Sequence, residues 1–265
     1  MDAKHVAQER FGKYAASYTA PWHNAAGPDL ELIARLVGDH PLWVALDIAT
    51  GGGHTALAVA PHVARVVATD ITAPMLGAAR EFVLSRGAGN IDFALADAED
   101  LPFPACSFDL VTCRIAAHHF PDPARFVLEV LRVLQPGGLF ILQDQVTPEE
   151  AGTAEWVTRF ENRRDPSHQR ALSPSEWLAL LGASGLSVET DDHFEKRLDL
   201  VKWVADQQGT ESDLAELRAW LRQAPPAVQD WMHPTDVDTD QAGFSIHHRV
   251  FSARKTGLGD LGCGC

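Results

Sequence analysis

The stretch VALDIATGGGHTAL, Val44 to Leu57, is an apolar run that ends in an acid and opens onto three consecutive glycines before a helical pattern begins. An apolar run fit for burial on both faces, a glycine turn and a helix make the first unit of an open α/β sheet. In such sheets ligands settle outside the carboxyl ends of the strands. Four more runs have the same character: RVVATD (65–70), IDFALA (91–96), FDLVTC (108–113) and GGLFILQD (137–144). Helical patterns separate them, after Gly53, over 73–85 and over 123–134, with Pro and Gly at the joins. This alternation predicts an α/β fold, a doubly wound and mostly parallel sheet with helices on both faces.

Around that unit the chain is less regular. Residues 1–40, with the amphipathic DLELIARLVG (29–38), read as an N-terminal helical cap over the ligand crevice. A main domain over 41–255 follows, and 256–265 read as a flexible tail. In SPSEWLALLGASG, Ser173 and Glu176 form a capping box, and LSVETDDHF and GFSIHHRVFSARK read as two last strands. Between those strands, 196–242 carries Trp203, Trp220 and Trp231 and is expected to be a helical lid over an apolar pocket.

With 265 residues, 46% of them hydrophobic, the chain can bury a sizeable core. Its net charge of -14 repels polyanions, which argues against nucleic acid and anionic membrane surfaces and leaves a small molecule as the expected partner. The start, MDAKHVAQER, has no signal-peptide character, and no apolar run approaches the roughly 20 residues of a membrane span. A cytoplasmic protein is expected. Cys106, Cys113, Cys263 and Cys265 make no disulfide framework. The last two form a C-x-C pair, two ligands short of a closed metal site. No H-x-x-x-H, H-E-x-x-H or calcium-loop spacing occurs, so no metal is expected, and the absence of G-x-S-x-G disfavours a serine hydrolase.

The glycine turn fits two cofactor classes. Gly51, Gly53 and Ala56 match the dinucleotide pattern G-x-G-x-x-G/A, and Asp70, at the end of the second run, can hold a ribose. Asp47 weighs against a pyrophosphate, whose charges it would repel, and in favour of S-adenosylmethionine, which carries a sulfonium and an ammonium. A nicotinamide-dependent oxidoreductase and a cofactor-binding protein without transfer activity stay as alternatives. Asp47, Asp70 and Asp97 also have plain readings as helix caps or turn residues, and Arg114 as half of an ion pair.

Three further stretches, ADAEDLPF (96–103), CSFDLVTCRIAAHHFPDP (106–123) and EVLRVLQPGGLFILQD (129–144), follow in order. Together with ATGGGH and RDPSH they resemble class I S-adenosylmethionine-dependent methyltransferases of the UbiE and MenG branch, with a type 11 methyltransferase domain, and most of all uncharacterised bacterial UbiE-like members. The resemblance implies a Rossmann-like sheet of seven strands with the last antiparallel. It also implies that Asp47, Ala49, Gly51 and Gly53 wrap the methionine portion of S-adenosylmethionine. Asp70 would take the ribose, with Ile71 against the adenine. Asp97 would accept from the adenine amino group, Ala98 would offer its amide to the ring, and Arg114 and Ile115 would lie beside the methionine. Ala49 departs from the family, which most often has glycine there.

Methyl transfer needs alignment above all, and a general base where the acceptor must lose a proton. A quinone- or phenol-like acceptor is expected. His118 and His119, after the fourth run, and His168, in RRDPSHQR, are the candidate bases; Tyr18 and His23 could reach over from the cap.

Overall fold

The structure, a computed structural model, describes residues 3–15 and 27–256. Seven strands, β1 (His40–Ile48), β2 (Val63–Asp70), β3 (Ile91–Leu95), β4 (Phe108–Arg114), β5 (Leu134–Gln145), β6 (Leu186–Asp199) and β7 (Gly243–Lys255), form one sheet in the order β3-β2-β1-β4-β5-β7-β6. The first five are parallel, and β7 runs antiparallel between β5 and β6, as the resemblance implied. Strand order reverses between β1 and β4, and the connections leaving their carboxyl ends part to open a crevice.

Successive side chains on the central strands feed two cores. Leu46 and Ile48 point into a cluster with Phe126 and Val130 of α5 (Pro123–Val133) and Trp177 and Leu181 of α7 (Pro174–Ala183). Ala45, Val66 and Ala68 point the other way, against Ile33 and Val37 of α2 (Pro28–Val37) and Ala56 and Val59 of α3 (His54–Val59). Burial on both faces is why these strands read as continuous apolar runs. Phe126 is fully buried, and truncating it to alanine should cost about 3–5 kcal/mol. The helix starts are set locally. Asp122 accepts from the Arg125 amide ahead of Pro123, and Ser173 and Glu176 close the capping box.

Two boundaries read from the sequence are corrected. Within residues 1–40, α2 is no cap, because Ile33 and Val37 are buried in the sheet's own helix layer; α1 (Ala3–Tyr14) is separate from it and packs against α4 (Ala73–Ser85). The insertion expected from 196 opens at Leu200, because β6 keeps pairing with β7 as far as Asp199. It holds α8 (Leu200–Asp206), α9 (Glu211–Arg222) and α10 (Pro226–Met232). Trp203 and Trp220 pack with Trp156 and Phe160 of α6 (Ala151–Arg164) and Phe244 of β7, so the insertion's apolar faces are spent on a third core.

Among the described residues no helix is long and apolar enough to cross a membrane. Tyr18, His23, Cys263 and Cys265 lie outside the described residues.

Candidate active site

The turn between β1 and α3 alternates into left-handed backbone, with φ of 52° at Ala49, 53° at Gly51 and 83° at Gly53. Gly53 is needed for packing as well as conformation, since a Cβ there would stand 3.0 Å from Val83 Cγ2 of α4. At Gly51 a Cβ would meet no protein atom within 4 Å; this glycine faces open space. Ala49 holds the same kind of φ without being glycine, at a cost on the order of 1 kcal/mol.

Beneath the turn Asp47 is buried, 1% exposed, and ties three segments together. Its two oxygens accept from Thr50 Oγ1 of the turn (2.6 Å) and Thr112 Oγ1 of β4 (2.7 Å). Burial raises its pKa to about 6, against the pull of these hydroxyls and of Arg114. At the end of β2, Asp70 accepts from the backbone amides of Gly51 (3.2 Å) and Thr72 (2.9 Å). Burial raises its pKa too, opposed by those amides.

Above these groups lies a cavity with about 740 Å³ of empty space, part of it open to solvent. Ala49, Gly51, Asp70, Ile71, Asp97, Ala98 and Ile115 line it, seven of the ten residues expected around the cofactor. Asp47, Gly53 and Arg114 do not; the first two brace the turn from behind. Arg114 is turned away toward α2, where its Nε and Nη2 donate to Asp29 Oδ2 at 3.0 and 2.5 Å. Its side chain is 6% exposed, so the plain ion-pair reading replaces contact with the methionine portion. Burial works against the charge on Asp29, but Arg114 and then Lys196 hold its pKa below the ordinary value.

Helix α1, part of the N-terminal segment expected to cap the crevice, lies across this cavity through contacts that sequence reading missed. Lys4 of α1 reaches both Asp97 Oδ2 and Glu99 Oε2 at 2.6 Å, Gln8 donates to the Ile71 carbonyl, and Arg10 pairs with Asp165. Phe11 meets the His119 ring edge-on. Nothing in α1 taken alone signals these partners, which lie in four distant segments. No residue of 200–242 lines the cavity among the described residues, so the expected lid does not cover it.

The three candidate histidines cluster, His118 lying 4.1 Å from His119 and 5.3 Å from His168 between ring centroids, yet their roles divide. His119 lines the cavity. Its Nδ1 donates to the Ser167 carbonyl at 3.1 Å, which leaves the lone pair on Nε2. Burial, with His118 beside it, lowers its pKa to about 4, so the ring is neutral. His118 is a bracket: its amide and ring Nδ1 both bind Asp144, and its carbonyl accepts from the amides of Gln169 and Arg170. His168 accepts from Gln145 Nε2 and donates to Asn162 Oδ1, both at 2.8 Å, so neither nitrogen is available. Burial and the neighbouring His118 lower its pKa to about 2. Neither His118 nor His168 lines the cavity, which corrects their reading as bases. Among the described residues no group of three or more His, Cys, Asp or Glu side chains is placed to hold a metal ion.

A family model described as a methyltransferase domain matches residues 46–142, the segment that runs from the end of β1 into β5 and supplies most of the cavity lining. Over 203 residues, 77% of this chain and 80% of the relative, the sequence is 38% identical to the uncharacterized methyltransferase YcgJ of Bacillus subtilis. The chain belongs to this methyltransferase family. Its activity is accordingly S-adenosylmethionine-dependent methyl transfer. The crystal structure of YcgJ matches that of this methyltransferase with a TM-score of 0.82 at 33% identity, covering 86% of this chain and 98% of the other. A shorter likeness, 38% over 105 residues, joins this methyltransferase to the ubiquinone/menaquinone biosynthesis C-methyltransferase UbiE of Brucella anthropi. It covers 38% of this chain and 40% of that relative.

Proposed function

We propose that this enzyme methylates a small, apolar or aromatic acceptor of the quinone or phenol class by in-line displacement at the mouth of the cavity above Gly51. The observation that carries the reading is the convergence of seven motif residues on one cavity, while their partners Asp47 and Gly53 fix the turn beneath. S-adenosylmethionine, when bound, supplies a methyl group on a positively charged sulfur with a good leaving group. The residues fit it: open space over Gly51, an aspartate already oriented by two amides at the ribose position, and apolar Ile71, Ala98 and Met75 for the adenine. Ala49, Gly51 and Ile115 would hold the methionine end, and Asp97 the adenine amino group after displacing Lys4. Asp47 lends negative charge from behind the turn without touching the ligand.

The enzyme's own contribution is alignment and exclusion of water, served by α1 across the cavity. Where the acceptor has a proton to lose, His119 is the group to receive it: neutral, lining the cavity, and with Nδ1 held by Ser167. Support for the acceptor class comes from the UbiE likeness and the mainly apolar walls.

The test is a transfer assay with methyl-labelled S-adenosylmethionine and a panel of phenols and quinols, alongside thermal shift with S-adenosylhomocysteine or NAD. Label in a phenolic product and stabilisation by S-adenosylhomocysteine are expected. Stabilisation by NAD alone, or label transferred only to amines or thiols, would overturn the reading.

A further inference from the structure

A second cavity, with about 490 Å³ of empty space, lies on the far side of Ile115. Asp29, Gln143, Phe194, Lys196 and His248 line it, brought from α2, β5, β6 and β7. Among the described residues Ile115 alone lines both cavities. Its φ of 54° is unusual for a β-branched side chain, and its amide is held by the Gln143 carbonyl at 2.7 Å. The strained residue is the partition between the two spaces.

Two side chains lining this cavity are buried and incompletely partnered. Gln143, 2% exposed, has no protein partner for Oε1, and His248, 5% exposed, has none for Nδ1. Buried polar atoms nearly always find partners, and each one left without costs about 1–3 kcal/mol. Two beside one cavity call for a ligand that supplies the missing bonds. An amide oxygen only accepts, so that ligand must donate. Burial takes the His248 pKa down to about 3, which keeps the ring neutral. Phe194 adds a flat apolar wall. Lys196 is poorly solvated: burial lowers its pKa, with Asp29 pulling against and Arg114 adding to the fall. An oxygen gaining negative charge is a good neighbour for such a cation.

We propose that this second cavity is the acceptor subsite and that it selects a hydroxylated aromatic, a phenol or hydroquinone, over a quinone. The hydroxyl donates to Gln143 Oε1, and the ring lies between Phe194 and the Ile115 partition with its reacting atom turned past Ile115 to the mouth of the first cavity. A quinone offers only acceptors and would leave Gln143 Oε1 without a partner. The assignment rests on the methyl-transfer reading of the first cavity.

The test uses the full chain saturated with S-adenosylhomocysteine, so that the first cavity is filled, and two probes of the same shape, 4-fluorophenol and 4-fluorotoluene, followed by fluorine NMR. Calorimetry gives S-adenosylhomocysteine affinity on the same samples. The phenol is expected to bind at least tenfold more tightly than the toluene, and Gln143→Leu to abolish that preference with S-adenosylhomocysteine affinity unchanged. Equal binding of the two probes to the unmutated chain, or a preference that survives Gln143→Leu, overturns the subsite while leaving the first cavity's reading intact. An unmutated chain that binds no S-adenosylhomocysteine overturns both. The paired-probe comparison decides even if the Gln143→Leu chain does not fold.

Discussion

The two cavities that meet at Ile115 are built on opposite plans. In the first, the carboxylates are already partnered: Asp70 is held by two backbone amides, and Asp97 by Lys4. In the second, Gln143 and His248 each keep a buried atom without a protein partner. A site whose carboxylates are held in place is largely preorganised and binds through shape and backbone, which suits a ligand common to many enzymes. A site with unmet hydrogen-bonding groups binds strongly only what meets them, which suits discrimination. This one chain therefore separates affinity for the methyl donor from choice of the acceptor, with a single side chain between them.

The largest test of that separation is Arg114→Met, which leaves Asp29 in the wall of the second cavity without its guanidinium partner. Losing one partner of a buried pair should cost about 3–5 kcal/mol in urea unfolding. The folded pKa of Asp29 is depressed, so its contribution is present above the unfolded value of 3.8 and lost as pH falls through the folded one. The gap between variant and parent should accordingly close in acid. Asp70→Ala strikes the first cavity instead. S-adenosylhomocysteine affinity should fall about 100-fold by calorimetry, from a lost charged acceptor and a loosened Gly51 amide, with 4-fluorophenol binding far less affected.

Asp47→Asn acts beneath the first cavity and should move stability in the other direction. Its folded pKa, about 6 against 3.8 unfolded, means that the folded chain binds the extra proton, so its stability falls as pH rises from about 4 to 6. At pH 7 the buried charge costs about 3 kcal/mol. Removing it should flatten the melting temperature across that window and raise it at pH 7, with weaker cofactor binding if the charge serves the sulfonium. The smallest effect is expected of Lys4→Met, whose partly exposed pairs should contribute less than about 1 kcal/mol to stability.

The same division governs what could be read from the sequence. Ala49, Gly51, Asp70, Ile71, Asp97, Ala98 and Ile115 sit at the ends of strands, where a short local pattern marks a ligand edge, and all seven line the first cavity. Arg114 has the right position in the chain but the wrong direction, because Asp29, 85 positions away, captures it. His168 reads as reactive only until Gln145 and Asn162 are seen to occupy both nitrogens. The second cavity was illegible: Asp29, Gln143, Phe194 and His248 share no motif and meet only because β7 inserts between β5 and β6. The tryptophans of the insertion announced apolar packing correctly, but nothing in their spacing told a lid from a separate core.

One consequence follows from the helix that crosses only one of the two cavities. α1 is fastened at one end to Asp97 and Glu99 and near the other to Asp165, and it contributes nothing to the lining of the second cavity. Leaving the space under it means undoing several contacts, whereas among the described residues α1 makes no such crossing of the other space. Turnover should therefore follow a fixed sequence, donor first in and spent donor last out. S-adenosylhomocysteine should then inhibit competitively against the donor and noncompetitively against the acceptor, and its departure should set the pace of the cycle.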